Sequence, residues 1–198
     1  MPPEPVNVPR FAAEPPQEQL PSGRWADTLR AELLRAAEDL GDIGEVGDIV
    51  WYPDRTYSGC TFVPATARTS SNLELFGYVS YVVTDEPGAY HTIVDVTEDL
   101  VENNPQWQID LNDEVIGRWR GGEGNTAEMT LVWGVPLIPG GAMVTAELAN
   151  LAVDQCDCSE QRFTLIAPDN YRADYLEIKL WGKNGDELAV ESLYVEDE

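Results

Sequence analysis

The sequence predicts a mainly β protein: an antiparallel β-sandwich or jelly-roll-like domain over residues 48–198, preceded by one N-terminal amphipathic helix over 22–41 and an extended Pro-rich arm over 1–21. Three observations carry this expectation. From Asp48 onward, about ten short apolar segments recur at near-regular spacing, separated by turn residues and without helical patterns between them. A single stretch, from Trp25 to Leu40, repeats its apolar residues at three- and four-residue steps. Seven of the 14 prolines fall within the first 21 residues.

The arm, MPPEPVNVPRFAAEPPQEQLP, suits neither a helix nor a central strand. Each proline removes a backbone donor and drives the residue before it toward extended conformations, so a polyproline-like path is expected. The composition also suits a solvated tail. Val6, Val8 and Phe11 are apolar residues that such a tail does not need, and they are the candidate docking residues of the arm. In the helix, Ser22 can act as N-cap, and Trp25, Leu29, Leu33, Ala36, Ala37 and Leu40 share a face. Asp27, Arg30, Arg35, Glu38 and Asp39 lie largely opposite, and Gly41 supplies the stop.

The candidate strands are Ile49 to Tyr52, Tyr57 to Val63, Leu73 to Thr84, Tyr90 to Val96, Trp107 to Leu111, Val115 to Trp119, Glu128 to Val135, Ala142 to Val153, Arg162 to Ile166, Tyr175 to Trp181 and Glu187 to Val195. Alternation is clearest in the tenth, where Leu176, Ile178 and Leu180 share one face and Glu177 and Lys179 the other. Asn184-Gly185 is the strongest hairpin signal, because both residues tolerate the positive φ of a type I′ turn. Asp85-Glu86-Pro87-Gly88 and Pro139-Gly140-Gly141 are turn sequences of the usual kind. The uncharged run from Met129 to Ala146 is long enough to test as a membrane span, but Pro136, Pro139, Gly140 and Gly141 break it into two strands and a turn.

The charge limits the partners. Against 36 Asp and Glu stand 12 Lys and Arg, a formal charge of -24. Bare nucleic acid and an anionic membrane surface carry the same sign, so neither is an expected partner. Only Lys179 and Lys183 are lysines. Abundant carboxylates with scarce lysine fit adaptation to high salt, a GC-rich genome, or mimicry of an acidic polymer for a basic partner. The carboxylates form no single tail, and they interleave with apolar strand positions. The opening MPPEPVNVPR lacks a cationic segment followed by an apolar one, so no signal peptide is expected, and synthesis in the cytoplasm is.

Motifs for chemistry are few. The single histidine, His91, excludes a multi-histidine metal centre, and no serine sits in a G-x-S-x-G elbow. Three cysteines, Cys60, Cys156 and Cys158, do not make a disulfide framework. Free thiols are the default, with a Cys60 pairing or a zinc site using His91 as alternatives. Asp110-Leu111-Asn112-Asp113-Glu114 reads as an oxygen-rich loop, so Asp110, Asn112 and Asp113 are weak candidates for Ca²⁺, and Asp154, Asp157 and Glu160 form a second such group. Neither matches an EF-hand, no cofactor is expected, and solvated loop faces are the simpler reading. Gly121 to Asn125 lacks the lysine and following helix of a phosphate loop. Trp107, Trp119, Trp133 and Trp181 lie on expected strands, as core residues or as an aromatic contact surface for a glycan or protein.

No recognisable catalytic apparatus emerges. The expectation is a non-enzymatic structural or accessory subunit of a larger protein assembly, oligomeric, whose arm docks on neighbouring subunits. Arm plus sandwich is similar in architecture to head and tail proteins of tailed viruses, which would make the chain virion-associated. The alternative is a carbohydrate- or ligand-binding β-sandwich module.

Overall fold

A computed structural model describes residues 18–82 and 89–193. The docking candidates Val6, Val8 and Phe11, and the turn at 85–88, lie outside the described residues. Among the described residues the chain is mainly β, with one α-helix and antiparallel sheets throughout.

Helix α1 (Gly23–Ala37) continues through a 3-10 turn, Glu38–Leu40, to Gly41 at φ 84, where a residue without a Cβ reverses the chain at little cost. Ser22 is extended, as an N-cap should be, but its side chain makes no capping bond. The helix buries Leu29, Leu33 and Ala37, the stripe read from the sequence.

The twelve strands of the described residues form three sheets. The N-terminal sheet contains β1 (Val46–Trp51), β2 (Arg55–Tyr57), β3 (Cys60–Thr69), β4 (Glu74–Val82) and β5 (His91–Thr97), ordered β1-β3-β4-β5 with β2 beside β1 on the same edge of β3. The central sheet contains β6 (Ile109–Arg120), β7 (Thr126–Pro136) and β10 (Phe163–Asp169), ordered β10-β7-β6. The C-terminal sheet contains β8 (Gly141–Leu148), β9 (Leu151–Asp157), β11 (Glu177–Gly182) and β12 (Glu187–Ser192), ordered β12-β11-β8-β9.

Three apolar clusters show how these layers stack. The first joins α1 to one face of the N-terminal sheet through Val63, Ala65, Ala67, Leu75 and Val79. The second joins the other face of that sheet, through Tyr52, Phe62 and Tyr78, to Met129, Leu131, Trp133 and Ile166 of the central sheet. The third joins the opposite face of the central sheet, through Val132, Phe163 and Leu165, to Val144, Ala146, Ile178 and Leu180. The central sheet is therefore apolar on both faces, which is why β10 is buried at every residue and β7 reads as a continuous apolar run rather than an alternation. Phe163 lies over Gly134, where a Cβ would stand 2.9 Å from its ring.

Local details depart from the sequence reading for identifiable reasons. Strand β3 runs on through Pro64, because its missing donor falls where the neighbouring strand is interrupted between β1 and β2; Pro64 still accepts from Tyr52 N–H at 3.0 Å. The expected strand from Ala142 to Val153 is a hairpin. Ala149 and Asn150 both have positive φ, at 51° and 62°, and link Leu148 to Leu151 as a two-residue turn of type I′ geometry. At Asn184-Gly185 only the glycine has positive φ, 82°, so that hairpin is a type I turn closed by a bulge.

Candidate functional site

The ends of the sheets make two unlike flanks. On one, β2, β10 and β9 are locked together by a buried ion pair between Arg55 of β2 and Asp154 of β9, whose side chains are 5% and 7% exposed. Asp154 Oδ2 also accepts from the Ile166 N–H of β10 at 3.0 Å, and Arg162 Nη1 donates to the Trp51 carbonyl at 2.9 Å. The chain enters at this flank. Gln19 N–H donates to Asp54 Oδ1 at 2.6 Å, Glu18 and Gln19 exchange backbone bonds with Asp54, and Glu18 Oε1 lies 3.3 Å from Arg55 Nη1. Burial raises the Glu18 carboxyl; Arg55 offsets part of this, and Asp157 and Asp154 add to it.

On the other flank the edge strands β5, β6 and β12 have no further neighbour among the described residues. Strand β6 lies between two open grooves. One, of about 300 Å³, is bordered by Glu74 and Phe76 of β4, Thr97 of β5, and Trp107, Asp110 and Asn112. The other, of about 330 Å³, is bordered by Trp107, Ile109, Leu111 and Asp113 together with Glu191 and Leu193. Trp107 precedes β6 and lines both.

Carboxylates crowd this edge. Burial, then the charge of Asp110, pushes Glu74 up to about 7, with Arg68 pulling the other way. Burial likewise raises Asp110, against Arg68 and with Glu102. Asp113 is raised by burial and then by Asp169, and Glu114 by burial, Asp113 and Asp95. Arg68 bonds Glu102 through Nη2, while its buried Nη1 has no hydrogen-bond partner among the described residues.

Several sequence candidates fall elsewhere. Asp110, Asn112 and Asp113 belong to one continuous strand rather than to a loop between two. Strand alternation turns Asp110 and Asn112 to one face and Asp113 to the other, although all three border the smaller groove. Asp154 of the second acidic group is engaged by Arg55. Among the described residues, no group of three or more His, Cys, Asp or Glu is arranged to hold a metal. The four tryptophans do not form one platform. Trp133 is 0% exposed and belongs to the core, which removes it as a surface contact. Trp119 packs edge-on to Tyr171 at 6.2 Å between ring centres. Trp181 lies on the outer face of the C-terminal sheet and donates from Nε1 to Thr145 Oγ1 at 2.8 Å. Only Trp107 joins the acidic groove, which Glu74, not singled out by the sequence reading, also borders.

The three cysteines are free thiols. Cys60 packs between the N-terminal and central sheets, whereas Cys156 and Cys158 pack between the central and C-terminal sheets, so a sheet separates them. Burial raises all three thiols above their ordinary value, Cys158 to about 11, which favours the protonated form over the thiolate. His91 is exposed at the start of β5, where its carbonyl accepts from Ser80 Oγ at 3.2 Å. Among the described residues no helix is long and apolar enough to cross a membrane.

Comparison with protein-family models, with curated proteins and with solved structures finds no match.

Proposed function

We propose that the chain is a non-enzymatic structural or accessory subunit of a larger protein assembly. The observation that carries this reading is the flank where β5, β6 and β12 end their sheets with no further neighbour among the described residues; the terminal strands of the opposite flank are cross-linked by the Arg55–Asp154 pair. An unpaired edge is a row of backbone donors and acceptors ready to accept another strand.

The strand order of β6–β12 supports a building-block role. Numbered from β6, the first, second and fifth strands share one sheet and the fourth, third, sixth and seventh the other. That is the order of an immunoglobulin-like sandwich with its fourth strand moved to the second sheet, a body that recurs in surface and assembly proteins. On this reading the N-terminal sheet and α1 form an added layer against the module. Residues 1–17 would leave from the anchored Glu18 and, fully extended, span roughly 55 Å, enough to reach a neighbouring subunit. A place in the head or tail of a tailed virus is one such setting.

Sedimentation of the full chain beside a form lacking residues 1–17 tests the proposal. Loss of higher-order association with an unchanged melting temperature supports it; a monomer in both forms would refute it.

A second reading, a carbohydrate- or ligand-binding module, is favoured by Trp107 beside Glu74 and Asp110, an aromatic ring next to carboxylates that can accept from sugar hydroxyls. Quenching of Trp107 emission by soluble glycans, abolished by Trp107→Ala, would support it.

A further inference from the structure

We propose that the free edge of β6 pairs antiparallel with β6 of a second copy of this chain, about a two-fold axis near Val115. The proposal rests on the assembly reading and names the partner. Strand β6 is the longest of the twelve, with 12 residues, and has β7 on one side only among the described residues. Val115, at its middle, is 46% exposed.

The charges along the strand are polarised. Asp110, Asp113 and Glu114 occupy the first half, and Arg118 and Arg120 the second. A parallel copy would set like charges together, whereas an antiparallel copy centred on Val115 sets the acidic half of each strand against the basic half of the other. The bulge at Ile116, between Val115 and Gly117, shifts the matching by one residue without disturbing this polarity.

Neither half forms an ion pair among the described residues, although Arg68 acts on Asp110 and Arg118 stands across from Glu128 of β7. In a chain with 36 acidic residues, neither Arg118 nor Arg120 forms an ion pair among the described residues. The carboxylates of the first half are raised by burial and by neighbouring acids, Asp110 by Glu102, Asp113 by Asp169, and Glu114 by Asp113 and Asp95, which an approaching guanidinium would relieve. Pairing would extend the central sheet to six strands and bury two exposed valines against each other.

Sedimentation velocity on the full-length chain at about 100 µM tests the pairing. The wild type should contain a dimer. R118E/R120E, altered only at exposed positions, should keep its circular dichroism and melting temperature while its dissociation constant rises at least about tenfold. D113R/E114R should weaken in the same way, and an equimolar mixture of the two variants should recover a one-to-one heterodimer. Should D113R/E114R fail to fold, V115K replaces it, since the two-fold would set two lysines face to face. A larger species whose mass and affinity are the same in R118E/R120E would overturn the β6 pairing and leave the assembly reading standing. A wild type that stays monomeric would overturn both.

Discussion

Arg55 and Asp154 stand 99 residues apart in sequence and form an ion pair almost wholly removed from solvent. Their contact ties the N-terminal sheet to the C-terminal sheet around the edge of the central one, with Asp154 also closing the Ile166 N–H. Removing Arg55 strands the Asp154 carboxylate in a dry site, which costs about 3–5 kcal/mol, whereas removing Asp154 leaves Arg55 with Glu18 at 3.3 Å. Arg55→Met should lower stability by that amount in urea unfolding, and Asp154→Leu by less. The double variant should recover part of the loss, because it leaves neither charge behind. Single variants costing under about 1 kcal/mol would show that the pair is solvated.

Trp133 fills the layer between the N-terminal and central sheets. Trp133→Ala should cost about 3–5 kcal/mol through lost burial and a cavity. Trp133→Phe should cost less, because it also removes an indole N–H that is buried without an acceptor. Iodide should quench Trp107 emission and spare that of Trp133; equal quenching of both would contradict this packing.

The pH dependence follows from Glu74. Its folded value of about 7 lies above its ordinary 4.5, so the folded chain holds a proton that the unfolded chain releases. The stability this contributes is complete below the unfolded value and disappears as pH rises through about 7. Asp54, Asp110, Asp113 and Glu114 shift in the same direction. The urea midpoint should therefore fall between pH 5 and pH 8, less steeply in Glu74→Gln. A midpoint that rises over this range, or a variant with the wild-type slope, would count against the assignment.

Salt should act with the same sign as protonation. A chain of formal charge -24 repels itself, and the screening length shortens from about 30 Å at 0.01 M to about 3 Å at 1 M. Adaptation to high salt predicts a melting temperature that rises steeply between those concentrations with sodium chloride. Equal melting at both would favour a GC-rich genome as the source of the composition.

The Ala149-Asn150 turn carries strain that glycine relieves. A left-handed alanine costs about 1–2 kcal/mol, so Ala149→Gly should raise stability by about 1 kcal/mol after the added unfolded-state entropy is discounted. A destabilised variant would show that the turn relaxes at little cost.

Some of this was readable in one dimension. The alternation at Leu176, Ile178 and Leu180 and the stripe at Leu29, Leu33 and Ala37 follow from local periods of two and 3.6 residues, and each is buried as its period requires. The Ala149-Asn150 turn was hidden because neither residue is glycine. The oxygen-rich loop at Asp110 to Glu114 was misread for a similar reason: three consecutive polar residues resemble a turn locally, whereas pairing with Leu131 to Val135 holds them extended. The acidic groove could not be read from sequence, since Glu74 and Asp110 meet only after two sheets have stacked.

The sequence by itself determined the chemistry of each segment: a helix with one apolar face, strands with their turns, an acidic exterior and no partner for a lone histidine. Only the tertiary structure decided that β7 and β10 are covered on both faces, that β6 has an open edge among the described residues, and that Arg55 finds Asp154. The reason is that period and propensity act over a few residues, whereas the neighbour of a strand is chosen by contacts far apart in the chain. An apolar run fits any buried layer equally well, and the whole stack selects which one it occupies.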